Sequence, residues 1–169
     1  MTLDLKALRA AFGDRLHENV VLSNYVTARV GGPARAFLAA NNLDELEKFA
    51  SRLWQLGAPF RVLGSGSNVL VSDDGYEGVI ILNRARNVRI DARSTPPTVF
   101  VESGSNFSAL ARQVALRGLS GLEWAASIPG TLGGAVVNNA GAFGGDMAGN
   151  LLLAEILHPT QGKIGRAHV

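Results

Sequence analysis

Phe60-Arg-Val-Leu63-Gly64-Ser65-Gly66-Ser67-Asn68-Val69-Leu70-Val71 is the stretch that decides how this chain folds. Phe60–Leu63 reads as a strand running straight into a turn of glycine, serine and asparagine. Two glycines let successive main-chain N–H groups converge on an anion, and Ser65, Ser67 and Asn68 add side-chain donors. Neutral donors of this kind suit the pyrophosphate of a dinucleotide where no Lys or Arg stands beside it. An ordinary turn between strands is the competing reading. A Rossmann reading fails twice: Val69 stands where a third glycine belongs, and Val69–Val71 looks like a strand where a helix should open. A P-loop fails as well, because no Gly-Lys-Ser/Thr occurs anywhere. If the turn does hold phosphate, Gly66→Val should abolish binding by filling the space the phosphate needs.

Upstream, Asn42 precedes Leu43-Asp-Glu45 as a capping-box pattern. The helix it opens carries Leu46, Phe49, Ala50, Leu53 and Leu56 on one face and stops at Gly57-Ala-Pro59. Ala34–Ala39 before it reads as a strand. Residues 1–18 form an N-terminal helical segment, with Leu5, Leu8 and Phe12 on a weak apolar face that places it at the periphery. Downstream, Val79–Leu82, Val88–Ile90 and Thr98–Glu102 are short β runs. Asn106 then caps a second helix bearing Phe107, Leu110, Ala111 and Val114. The sequence of elements is β-α-β, several strands and a helix, which is α+β organisation.

A chain of 169 residues buries roughly 70% of its unfolded surface, so its 47% hydrophobic content suffices without a metal or a staple. Cysteine is absent, which excludes disulfides, thiolate metal sites and thiol nucleophiles and fits a reducing cytoplasm. No uninterrupted run of 18 apolar residues or signal-like segment occurs, so a soluble cytoplasmic protein with no membrane partner is expected. The formal charge of +2 rests on Lys163 and Arg166; without them the 16 basic residues fall to 14, against 14 acidic. Residues 163–169, Lys-Ile-Gly-Arg-Ala-His-Val, read like the conceptual translation of a sequencing adapter joined to a partial gene, the alternative being a genuine basic tail. No nucleic-acid partner follows from that charge.

The third informative stretch is Ile128-Pro-Gly-Thr-Leu-Gly-Gly-Ala135 with Asn138-Asn-Ala-Gly-Ala-Phe-Gly-Gly145. Ser127–Gly149 is polar and glycine-rich around apolar Ala135-Val-Val137, the composition of an ordered binding loop. Thr131, Asn138 and Asn139 offer hydroxyl and amide groups to a flat polar ring such as an isoalloxazine. A helix-packing role for Gly133, Gly134 and Ala135 is the alternative. His17, His158 and His168 stand alone, without ligand spacing. No catalytic residue and no metal ligand is assigned.

Together, Val30-Gly-Gly-Pro-Ala34, Gly64–Val71 and Ile128–Gly145, with Leu119-Ser-Gly-Leu-Glu-Trp124 leading into the last, resemble the UDP-N-acetylenolpyruvoylglucosamine reductase (MurB) family. The likeness runs from about Asn19 to Gly162 in the family's order. Leu132, Asn138 and Phe143 depart from the residues usual there, and Phe143 lacks a hydroxyl that Tyr would bring. The resemblance implies a two-lobed α+β FAD-binding domain of the vanillyl-alcohol oxidase (PCMH) type over residues 19–162, truncated at its C-terminal side. Gly64, Ser65, Gly66, Ser67 and Asn68 would hold the pyrophosphate. Ile128, Pro129, Gly130, Thr131, Gly133, Gly134, Asn139, Ala140 and Gly141 would line the flavin.

The family is a UDP-N-acetylmuramate dehydrogenase of peptidoglycan synthesis. NADPH reduces its FAD, which reduces the small-molecule substrate UDP-N-acetylglucosamine enolpyruvate to UDP-N-acetylmuramate; a monomer is expected. An enolpyruvyl ether accepts hydride only if a cation and an acid stabilise the developing enolate and a donor then protonates the carbon. The family supplies these from a Tyr-Arg-x-Ser motif, a Gly-Ser-Phe-Phe-Lys-Asn-Pro-like motif and a late Glu, none of which occurs here. The fragment alone is therefore expected to be inactive. Another FAD-linked oxidase of the same fold and a non-catalytic nucleotide-binding module are the alternatives.

Overall fold

The structure is a computed structural model that describes residues 3–159 and the backbone of Ile164–His168. The remainder of the expected tail, Lys163 and Val169, lies outside the described residues. Two compact units divide the chain at Arg84/Ala85, with no break after residue 18.

In the first unit, α1 (Leu5–Phe12) leads through a short 3-10 turn to β1 (His17–Val21). Then follow β2 (Pro33–Ala40), α2 (Leu43–Gln55), β3 (Phe60–Leu63) and β4 (Tyr76–Asn83), in a sheet of order β1-β2-β4-β3. β2 and β3 both run parallel to β4, and β1 closes one edge antiparallel to β2. The β2-α2-β3 crossover thus leaves room for β4 in its middle. β4 is buried from Gly78 to Asn83 because both faces of the sheet are covered. Leu22, Ala34, Phe37, Leu63, Ile80 and Leu82 form one cluster, with Tyr25 and Val71 packed against it. A register shift between Ala34 and Ala36 accounts for the break in alternation that puts Ala34 and Phe37 together. α2 contacts β2 and β4, burying Phe49, Ala50 and Leu53.

Three sequence expectations change here. The N-terminal helix ends at Phe12, and His17–Val21 extends into the sheet instead of continuing it. Nor is that helix peripheral: Leu8 is 1% exposed, and Phe12 meets Phe49 edge-on at 5.6 Å. Val69–Val71 is not a strand. Both sides of β4 are occupied, and the segment instead abuts residues 31–32, leaving Leu70 83% exposed.

In the second unit, β5 (Val88–Asp91) and β6 (Thr98–Val101) form an antiparallel hairpin. Val88 lies opposite Val101 and Ile90 opposite Val99, and all four pack on a core of Phe107, Leu110, Ala111, Val114, Trp124, Ala125, Ala135 and Met147. α3 (Phe107–Ala115) supplies the first four of these, capped by Asn106 Oδ1 accepting from the Ala109 N–H at 2.8 Å. Ser127–Gly149 is not one loop. It contains α4 (Leu132–Val137) and a two-stranded hairpin of β7 (Gly141–Ala142) and β8 (Gly145–Asp146). β9 (Leu153–Leu157) pairs antiparallel with β10 (Ile164–His168).

Candidate functional site

The two glycine-rich stretches lie in different units, and their main-chain amides are in opposite conditions. In the first unit, Gly64–Asn68 follows β3 directly. Gly66 sits at φ +67°, and a Cβ there would fall on the carbonyl oxygen of Tyr25 and within 2.7 Å of Val26 Cα. Its own carbonyl accepts from the Thr27 N–H at 3.0 Å. Gly66 is therefore glycine so that the turn can seat on Tyr25–Thr27. This corrects the reason expected for Gly66→Val, since the added atoms meet the protein's own backbone before any phosphate. Among the described residues, no main-chain carbonyl accepts from the N–H of Ser65, Gly66 or Asn68. Three open amides on one turn, one of them on a buried residue, need an acceptor from elsewhere.

The segment beneath that turn was not among the residues expected from sequence. Tyr25–Gly32 runs beside Gly66–Ser72: Thr27 bonds Gly66, a Cβ on Gly31 would lie 2.5 Å from Val71 Cβ, and the Gly32 N–H donates to Ser72 O at 2.8 Å. Arg29 stands in this segment at φ +57°, exposed to solvent. Its sequence signal was the Arg beside Val30-Gly-Gly32; its distance from Gly64 in the chain hid the connection.

In the second unit the amides at the start of α4 are spent. Leu132 N–H donates to Ser105 O at 2.9 Å, Gly133 N–H to Ser103 O at 2.8 Å, and Gly134 N–H to Thr131 Oγ1 at 3.4 Å. A Cβ on Gly133 would lie 2.9 Å from Ser103 Cβ, so the packing role holds for Gly133. The polar side chains are engaged too. Asn138 Nδ2 donates to Gly134 O, and Asn139 Oδ1 accepts from Ala148 N–H, both at 2.8 Å. This surface has no converging amides to offer an anion. It presents short side chains, backbone edges and the exposed apolar Val137, the makings of a wall for a flat ring.

Beside it, Glu123, Trp124, Phe143, Gly144 and Gly145 line a shallow open concavity. Phe143, 89% exposed at φ +52°, occupies the tip of the β7–β8 hairpin. Trp124 Nε1 donates to Asn150 Oδ1 at 2.9 Å, fixing the indole. The Glu123 carboxyl is held below its usual range by its own N–H and that of Gly121 at 2.7 Å, so it stays ionised and is no proton donor at neutral pH. Among the described residues no group of three His, Asp or Glu is placed to hold a metal, and no helix is long and apolar enough to cross a membrane.

The comparisons with known proteins bear on both units. The FAD binding domain family matches residues 34–166. The chain is 41% identical over 156 residues to the UDP-N-acetylenolpyruvoylglucosamine reductase of Synechococcus sp. (strain RCC307), covering 89% of this chain and 49% of that protein. To the same-named protein of Chlamydia muridarum it is 40% identical, over 87% of this chain and 49% of the other. Among solved structures, the crystal structure of UDP-N-acetylenolpyruvylglucosamine reductase (MurB) from Thermus caldophilus aligns with a TM-score of 0.70 at 33% identity, over 89% of this chain and 52% of that one. A solvent-stable cholesterol oxidase aligns with a TM-score of 0.65 at 19% identity, over 90% of this chain and 32% of its own, which is likeness of fold alone. The α+β FAD-binding fold expected from sequence is the one found. The chain spans about half the length of the curated relatives it matches.

Proposed function

The chain belongs to the FAD binding domain family, and from that premise we propose that it is the cofactor-holding part of a UDP-N-acetylenolpyruvoylglucosamine reductase. The observation that carries the reading is the set of open amides at Ser65, Gly66 and Asn68. A diphosphate brings several oxygens to one place and so matches a turn with several unpaired donors. Gly64–Asn68 accordingly holds the pyrophosphate. Ile128, Pro129, Gly130, Thr131, Gly133, Gly134, Asn139, Ala140 and Gly141 line the flavin, with their backbone edges as hydrogen-bonding groups, because Thr131 and Asn139 already bond within the protein. Phe143 adds an apolar ring where Tyr would add a hydroxyl.

When bound, FAD would supply the redox chemistry by which NADPH reduces the enolpyruvyl group of UDP-N-acetylglucosamine enolpyruvate to UDP-N-acetylmuramate for peptidoglycan. What this chain contributes is binding and orientation. It brings no acid or cation in the contexts that would stabilise an enolate or protonate its carbon. The same proposal places the protein in the cytoplasm as a monomer, with residues 19–162 as the FAD-binding segment.

Titration of the chain with FAD, followed by quenching of flavin fluorescence, tests the reading. One equivalent should bind, and NADPH oxidation dependent on the enolpyruvyl substrate should stay at background. Absence of FAD binding would remove the proposal, and turnover at an ordinary enzyme rate would remove its division of labour.

A further inference from the structure

The turn that offers three open amides carries no positive charge of its own, yet a diphosphate carries two negative charges. In the same unit Arg29 stands two residues from Thr27, whose N–H donates to Gly66 O. Arg29 adopts φ +57°, a region that Gly or Asn enters at little cost and Arg does not. It is exposed and, among the described residues, is tied through its backbone, its N–H donating to Val26 O at 3.2 Å. Among the described residues the arginines in ion pairs are Arg9 and Arg15, neither of them in this turn.

The position follows from the flanking contacts. Thr27 bonds Gly66, Gly31 abuts Val71, and Gly32 bonds Ser72. Arg29 closes the turn that Val26 opens, two residues on from Thr27, so it stands next to the segment on which Gly66 is seated. A long, exposed side chain two residues from the Thr27–Gly66 contact is within range of the Gly64–Asn68 turn.

Resting on the reading of Gly64–Asn68 as the diphosphate turn, we propose that Arg29 is the cationic anchor of the FAD diphosphate, its guanidinium forking onto the phosphate oxygens while the open amides take the others. The pairing is the one that guanidinium geometry favours. It also explains why a long charged residue occupies a left-handed backbone position at the close of the Val26–Arg29 turn, on the segment that seats Gly66.

The left-handed backbone provides a variant that should fold. Arg29→Gly deletes the side chain and relieves the strain, and Arg29→Asn does the same with a residue that tolerates that region. Full-length chains are titrated with FAD and with riboflavin, the same ring without phosphates, at low and high salt. Both variants should keep or raise the melting temperature and bind FAD about tenfold more weakly or worse, as loss of one charge-assisted contact implies. Riboflavin binding should be unchanged, and the salt dependence of FAD binding should flatten. Arg29 variants that bind FAD like the parent, while the Ser65, Gly66 and Asn68 amide protons still shift on binding, would overturn the role of Arg29 and leave the turn intact. If FAD binds and those three amide protons do not shift, the turn reading fails and Arg29 falls with it. Equal loss of FAD and riboflavin would mark general damage and also overturn the proposal.

Discussion

At the scale of single residues, two of the glycines that suggested ligand recognition serve the protein's own packing. Gly66 is buried against Tyr25 and Val26, and Gly133 packs closely on Ser103. Gly66→Ala is expected to cost about 2 kcal/mol or more, because the site combines positive φ with contact against main chain that has little freedom to yield. Urea unfolding without ligand measures it; a midpoint equal to the parent's would mean that residues 25–26 can shift. The sequence pointed to the right turn but gave the wrong reason for its second glycine. Glycine-x-glycine looks the same whether the missing Cβ makes room for phosphate or for a carbonyl oxygen. The open amides of Ser65, Gly66 and Asn68 and the placement of Arg29 depend on a segment some 40 residues away in the chain, which no local pattern encodes.

At the scale of elements, long periodic segments were legible and short or displaced ones were not. α2 and α3 follow their apolar spacing, and both asparagine caps accept the expected N–H, Glu45 N–H to Asn42 Oδ1 at 2.9 Å in the first case. The capping box is only half formed. Glu45 accepts from the Asn41 N–H at 2.8 Å instead of the cap residue's own, and both its oxygens also receive Arg15 at 2.9 Å. The Arg15 guanidinium, followed by the Asn41 N–H, pulls the Glu45 carboxyl from 4.5 to about 2. With the folded value below the unfolded one, this contribution is complete above about 4.5 and is lost as pH falls from there toward about 2. Arg15 keeps 47% of its side chain exposed, so the effect should stay within about 1 kcal/mol. Glu45→Gln should flatten the fall of the urea midpoint across that window, and an unchanged acid limb would contradict the pairing. α4 could not be read beforehand: six residues beginning Leu-Gly-Gly have no periodicity to show and poor helix propensity, and they are held by Ser103, Ser105 and Thr131. Val69–Val71 had the composition of a strand but packs against residues 31–32 outside the sheet.

At the scale of the whole molecule, one fold is built from two units, each contributing one glycine-rich surface of a different kind. The first offers unpaired amides, suited to phosphate oxygens. The second has spent its amides on Ser103 and Ser105 and offers a neutral wall. The family match over residues 34–166 spans both. Fold and cofactor class were legible in the sequence because three motifs stand in order over most of the chain, whereas which atoms remain available emerges only from the packing. Backbone amide NMR of the 15N-labelled chain, recorded with and without one equivalent of FAD, reads those atoms directly. The Ser65, Gly66 and Asn68 amide protons should move downfield as they acquire phosphate acceptors, well beyond any hydrogen-bonding shift at Leu132 and Gly133. FAD binding that leaves the three signals in place would contradict the assignment of the diphosphate to that turn.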